Sequence, residues 1–136
     1  AQAFGIRAIQ NGFTVYYIRA ATLLEDIKLS RIDGSYTNLV KRFARYKLLI
    51  LDDFGVSPIS VDDATNLFEI IETRNQLSST IITSQLPVKD WYGYLQNNTV
   101  ADAILDRVVH SSHRIEIEGD SLRPKYSNLN QKFEEN

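Results

Sequence analysis

Residues 48–51 are Leu-Leu-Ile-Leu, and they run straight into Asp52 and Asp53, followed by Phe54 and Gly55. Successive side chains of a strand point to opposite faces, so a strand with one wet face alternates apolar and polar residues. A strand that is apolar at every position is covered on both sides, as in a parallel sheet clad in helices. The segment 78–85, SSTIITSQ, repeats the pattern, and 13–20, FTVYYIRA, is β-branched and aromatic. Between these strands lie helical patterns at 22–31, 35–46 and 61–76, with further helices expected at 1–12 and 99–111. Strands alternating with helices specify an α/β fold built on a mainly parallel sheet.

Local signals place the boundaries. Thr22 followed by Glu25 reads as a capping box, Gly34 falls where the helix 22–31 must stop, and Ser60 caps the helix 61–76. In the helix 1–12, Phe4, Ala8 and Ile9 share one face, and Gly12 sits where a C-terminal glycine belongs. In 35–46, Tyr36, Leu39, Val40 and Phe43 share the inner side, while Lys41, Arg42 and Arg45 lie largely opposite. Residues 86–95 read as a loop with a short helical turn, and the alternation in 113–119 reads as a last strand. The organisation expected is one domain over 1–125 followed by a polar tail over 126–136.

In such sheets ligands sit at the carboxyl ends of the strands. Asp52 and Asp53 end one strand, and Thr83, Ser84 and Gln85 end another. Two adjacent carboxylates repel unless a cation or a reacting water uses them; the plain alternative is a solvated acidic turn. An apolar strand followed by Asp and a second acid is the Walker B pattern of P-loop nucleotide hydrolases. In it the first acid, here Asp52, holds Mg²⁺ through water, and the second, here Asp53, orients or deprotonates the attacking water.

Composition narrows the partners. The formal net charge of -2 provides no global basic field, so any DNA surface has to be a local patch. One exists: 28–47 carries Lys28, Arg31, Lys41, Arg42, Arg45 and Lys47 against Asp33 as its single acid. Lys41, Arg42 and Arg45 are the candidate contacts to a duplex backbone, against the alternative of an ordinary solvated helix face. Tyr16, Tyr17, Tyr36, Phe43 and Phe68 sit at core-like positions and are expected to pack rather than to stack on bases. His110 and His113 have no partnered acids in sequence and are expected to be structural. With no cysteine, disulfides and thiolate metal sites are excluded. No apolar run approaches the roughly 18 residues of a membrane span.

Together, "LLILDDFG", "STIITSQLPVKDW", "ADAILDRVVHSSHRIEIEGDSLR" and the opening "AQAFGIRAIQNGFTVYYIRAATLLEDI" resemble the IstB-like family over 1–125. These are the helper ATPases of bacterial insertion sequences, related to the helicase loader DnaC. The resemblance implies a three-layer AAA+ core without the helical lid, and a cytoplasmic, oligomeric protein. It would bind ATP with Mg²⁺, bind duplex DNA and assist a cognate transposase. Carried over residue by residue, it makes Asp52 the Mg²⁺-linked acid, Asp53 the catalytic acid and Gln85 the sensor-1 residue. Arg107 becomes the arginine finger, and Arg123 falls at a possible sensor-2 position. A DnaC-like helicase loader would present the same acids and finger. A non-enzymatic oligomerisation domain is the remaining alternative.

One departure from the family is large. The motif G-x-x-x-x-G-K-[ST] is absent: none of the six glycines precedes a lysine. There is also no methionine, even at position 1. The expectation is therefore a fragment that starts just after the phosphate cradle and lacks the first core strand. Such a chain alone should bind MgATP poorly and be inactive, and its strands 78–85 and 113–118 should expose edges.

Overall fold

The computed structural model describes residues 1–96 and 98–119, with the Asn98 side chain left undescribed. Three strands, β1 (Val15–Arg19), β2 (Leu48–Phe54) and β3 (Ser79–Ser84), form a parallel sheet in the order β1-β2-β3. Helices α2 (Ala20–Asp33) and α3 (Tyr36–Arg45) connect β1 to β2, and α4 (Val61–Arg74) connects β2 to β3. Helix α1 (Gln2–Gln10) precedes the sheet, and α5 (Val88–Tyr94) and α6 (Asn98–Leu105) follow it.

β2 is the central strand, and Leu48, Leu49, Ile50 and Leu51 are all buried, as the unbroken apolar run requires. Its two faces meet different partners. Leu49 and Leu51 join the main core with Leu23, Ile27, Phe43, Leu67 and Ile70. Ile50 faces α1, which approaches through Gly5: a Cβ there would stand 3.0 Å from Ile50 Cδ1. The shared face of Phe4 and Ile9 does not supply this contact. Phe4 and Ile9 are each 60% exposed, because the helix meets the sheet through its smallest residue rather than through its apolar stripe.

Other boundaries follow chemistry that the sequence displays. Ser60 caps α4 through a capping box in which Asp63 N–H donates to Ser60 Oγ at 3.1 Å and Ser60 N–H to Asp63 at 3.3 Å. Gly34 ends α2 in the left-handed region at φ 79°. The expected Thr22 box does not form. α2 starts two residues earlier, directly from β1 with Arg19 at the N-cap and no side-chain cap, which puts Thr22 inside its first turn. The inner side of α3 is as expected, with Tyr36, Leu39, Val40 and Phe43 buried.

Among the described residues the expected strand at 113–119 does not form: the segment carries no regular secondary structure, and Ile117 is 92% exposed. Alternation supplies a strand's pattern, whereas a strand exists only with a hydrogen-bonding neighbour, and neither edge of this sheet pairs with the segment. The helix expected at 99–111 is divided, with α6 giving way to a π-helical turn at Asp106–His110.

Candidate functional site

The carboxyl end of β2 departs from regular geometry where the two acids lie. Leu51 pairs with Ile82, but Phe54 pairs with Ser84, so the registers slip between them. Asp53 takes the left-handed conformation at φ 56°, which is uncommon for a non-glycine residue. The consequence is geometric. In an undisturbed strand Asp52 and Asp53 would point to opposite faces of the sheet. With the extra residue and the left-handed turn, both line one open cleft of 450 Å³, together with the start of α1 and with Tyr17 and Arg19 of β1. Both acids are half-buried.

Strand parity explains the partners of Asp52. In register, Tyr17 lies beside Ile50 and Arg19 beside Asp52, and Ile81 lies beside Ile50 on the other side. Tyr17, Asp52 and Thr83 therefore share the face that α1 covers. The Asp52 carboxylate accepts hydrogen bonds from the Tyr17 hydroxyl on one oxygen and from the Thr83 hydroxyl on the other. These bonds, Thr83 first and Tyr17 second, hold its carboxyl below the usual carboxylate range. Reciprocally, the bond to Asp52 pushes the Tyr17 hydroxyl up. Thr83 also accepts the Asp53 N–H at 3.1 Å, so one hydroxyl ties the conformation of both acids to β3. Just beyond, Gly55 turns at φ 88°, with Leu86 Cβ 3.0 Å from where its own Cβ would stand. Phe54 meets Trp91 and Tyr94 of α5 in edge-to-face contacts, with centroids 4.7 and 5.2 Å away.

The sequence places Tyr17 in the core; the structure corrects this, with Tyr17 37% exposed and its hydroxyl committed to Asp52. Alternation along β1 is the one signal that could have found it, since Tyr17 opposes the buried Ile18. Thr83 was visible only as part of a polar strand end.

The other described candidate residues lie apart from this cleft. Gln85 follows β3, is exposed and does not line it. Arg107 lies on the π-helical turn, where its guanidinium forks onto both oxygens of Glu72 on α4, one of them at 3.2 Å, and sits 5.5 Å over the Phe68 ring. The Glu72 contact pushes its pKa further up. Arg123 lies outside the described residues, as does the expected tail. Lys41, Arg42 and Arg45 are exposed and form no ion pair among the described residues. By contrast, Lys28 pairs with Asp63 at 3.3 Å and Arg31 with Glu69 at 3.7 Å, so α2's share of the basic segment is neutralised by α4. His110 contacts Asp106 at 3.4 Å on an exposed surface.

The donor set fits a divalent cation held mainly by something else. No group of three or more potential metal ligands gathers among the described residues. Mg²⁺ is characteristically bound by one or two carboxylates plus substrate phosphates, with waters retained, and an ionised Asp52 at a polar cleft offers that share. No helix among the described residues is long and apolar enough to cross a membrane.

Comparison with solved structures finds the same fold. A replication initiator DnaA bound to AMPPCP and single-stranded DNA superposes with a TM-score of 0.72 at 19% identity, covering 95% of this chain and 40% of that one. A DnaC helicase loader superposes with a TM-score of 0.58 at 21% identity, covering 74% of this chain and 61% of that one. The parallel βα order here is thus that of the P-loop NTPase fold. Among curated relatives, a putative insertion sequence ATP-binding protein of Sinorhizobium fredii, y4pL, is 46% identical over 123 residues, 90% of this chain and 50% of its own length. The putative ATP-binding protein of insertion sequence IS232 from Bacillus thuringiensis is 36% identical over 125 residues, 92% of this chain and 50% of its own length. The chain thus spans about half the length of these relatives. The family described as IstB-like ATP binding protein matches residues 1–130, and with the α/β order and the acid-bearing end of β2 in place, the chain belongs to that family.

Proposed function

We propose that the intact protein hydrolyses ATP in the service of DNA transposition, and that the cleft of Asp52 and Asp53 is part of its hydrolytic centre. One observation carries this reading: the register slip and the left-handed Asp53 bring two consecutive acids to one cleft at the carboxyl end of the central strand. A solvated acidic turn has no need of such a distortion, which is retained only where the surrounding structure enforces it. The relatives' description as insertion sequence ATP-binding proteins supports the same assignment, and favours transposition over helicase loading.

Mg²⁺, when bound with the nucleotide, would supply charge neutralisation at the phosphates. Asp52, kept ionised by its two hydroxyl donors, would hold the metal through its water shell. Asp53 would orient the attacking water and take up its proton. Gln85 is proposed to approach the phosphate end from β3. Arg107 is proposed to serve the nucleotide of a neighbouring copy, leaving Glu72 on assembly. Arg123 would follow as a second contact. Lys41, Arg42 and Arg45 would face duplex DNA, and the protein partner would be the transposase of the same element.

The test is Mg²⁺-dependent ATP hydrolysis by the natural-length protein, with and without duplex DNA, beside Asp53→Asn and Asp52→Asn. DNA-stimulated turnover that both substitutions abolish is the expected result. Turnover unchanged by Asp53→Asn would remove the acids from the chemistry and leave them as a turn.

A further inference from the structure

Tyr17 is an aromatic residue that the fold leaves partly in solvent yet does not leave free. Its hydroxyl reaches from β1 to one oxygen of Asp52, while Thr83 reaches from β3 to the other. We propose that Tyr17 is a positioning residue for Asp52, holding the carboxylate so that its remaining lone pairs face the water shell of a nucleotide-bound divalent cation. This rests on the reading of the cleft as a hydrolytic centre and deepens it.

Three physical points support the assignment. First, an ionised carboxylate has about four acceptor sites, and two hydroxyl donors leave about two for metal-bound waters. Second, the donors come from the strands on either side of β2. With Thr83 alone the carboxylate could swing about its terminal torsion, which is broad. With both donors, rotation breaks a hydrogen bond, so the group is set before the cation arrives and needs no rearrangement on binding. Third, the donor is neutral. Arg19 is the register neighbour of Asp52 and lines the same cleft, yet it forms no ion pair with it. A guanidinium on Asp52 would cancel the charge that attracts a cation, whereas a phenol orients the carboxylate and leaves its charge intact.

The experiment uses the natural-length protein with Mn²⁺ as the probe, in the presence of a non-hydrolysable ATP analogue. Free Mn²⁺ is read by electron paramagnetic resonance. Tyr17→Phe keeps the exposed ring and removes only the hydroxyl, so a packing role would leave Mn²⁺ affinity unmoved. The expected result is about tenfold weaker Mn²⁺ retention, the range seen when a residue that orients a metal-binding group is removed. In turnover assays kcat should fall at fixed Mg²⁺, recover as Mg²⁺ is raised, and leave KM for ATP unchanged. Asp52→Asn separates the two levels of the argument. If it weakens Mn²⁺ binding and Tyr17→Phe does not, the positioning role is overturned and the centre stands. If Asp52→Asn itself changes nothing, the metal-bearing assignment fails and the proposal with it.

Discussion

Replacing Arg74 with methionine should cost about 3 kcal/mol of folding stability. Arg74 is 1% exposed, and its guanidinium donates to Tyr46 O at 2.8 Å, Ser79 O at 2.6 Å, Thr80 Oγ1 at 3.1 Å and Phe43 O. One side chain on α4 thereby satisfies two carbonyls at the end of α3, the Ser79 carbonyl and the Thr80 hydroxyl. At a net ~1 kcal/mol for each bond, four bonds amount to ~4 kcal/mol. Burial works against the cation and pulls its pKa down, so methionine, which keeps the apolar stem, recovers part of that. Arg74→Lys should fare little better, because an ammonium on a single stem cannot span four acceptors that a planar fork reaches. The assay is urea unfolding followed by far-ultraviolet circular dichroism, with exposed Lys89→Met as the control. With a slope of ~1.5 kcal/mol/M the midpoint should fall by about 2 M at unchanged slope. A midpoint for Arg74→Met indistinguishable from that of Lys89→Met would refute the reasoning.

Three further outcomes are expected. Burial and the Glu69 contact raise the Tyr36 hydroxyl to about 12, so the folded state holds that proton more tightly than the unfolded chain does. The resulting stability is complete below pH ~10 and is lost as pH rises to ~12, a change of about 1–2 kcal/mol once solvent screening at the exposed Glu69 carboxylate is allowed for; Tyr36→Phe should flatten the unfolding profile across that window. Gly55→Ala should cost about 1–3 kcal/mol, from the left-handed backbone and from the close Leu86 Cβ, read as a lowered Tm. Neutralising Lys41, Arg42 and Arg45 together in the intact protein should reduce the salt slope of duplex binding by about 3, near 0.9 for each phosphate left without its cation; an unchanged slope would place the DNA surface elsewhere.

The unbroken apolar run of β2 disclosed the parallel sheet because burial on both faces leaves no room for polar alternation. The inner face of α3 and the Ser60 cap were equally readable, since each depends on residues within one or two turns. Features that depend on a distant partner were less legible. Phe4 and Ile9 share a helix face in sequence, whereas Gly5 makes the contact, and Ile115 and Ile117 alternate without a neighbouring strand to pair with. At the cleft, Asp52 and Asp53 announced themselves, but how two successive residues reach one side did not. That follows from a slip between β2 and β3, and register there is set between residues about thirty positions apart in sequence. The role of Tyr17 was hidden for the same reason: its hydroxyl has a purpose only once β1 lies beside β2.

The packing around Phe54 has one more consequence, an optical one. Trp91 is the single tryptophan of the chain, is 5% exposed, and donates its indole N–H to Leu86 O at 2.9 Å while its ring leans on Phe54. Phe54 directly follows the two acids. A rearrangement of that turn therefore shifts the edge of an aromatic ring against the indole, so the tryptophan emission of these 136 residues reports on the turn. If the proposed reading of the cleft holds, the arrival of a nucleotide and a metal there would be timed in a stopped-flow fluorimeter with no dye attached.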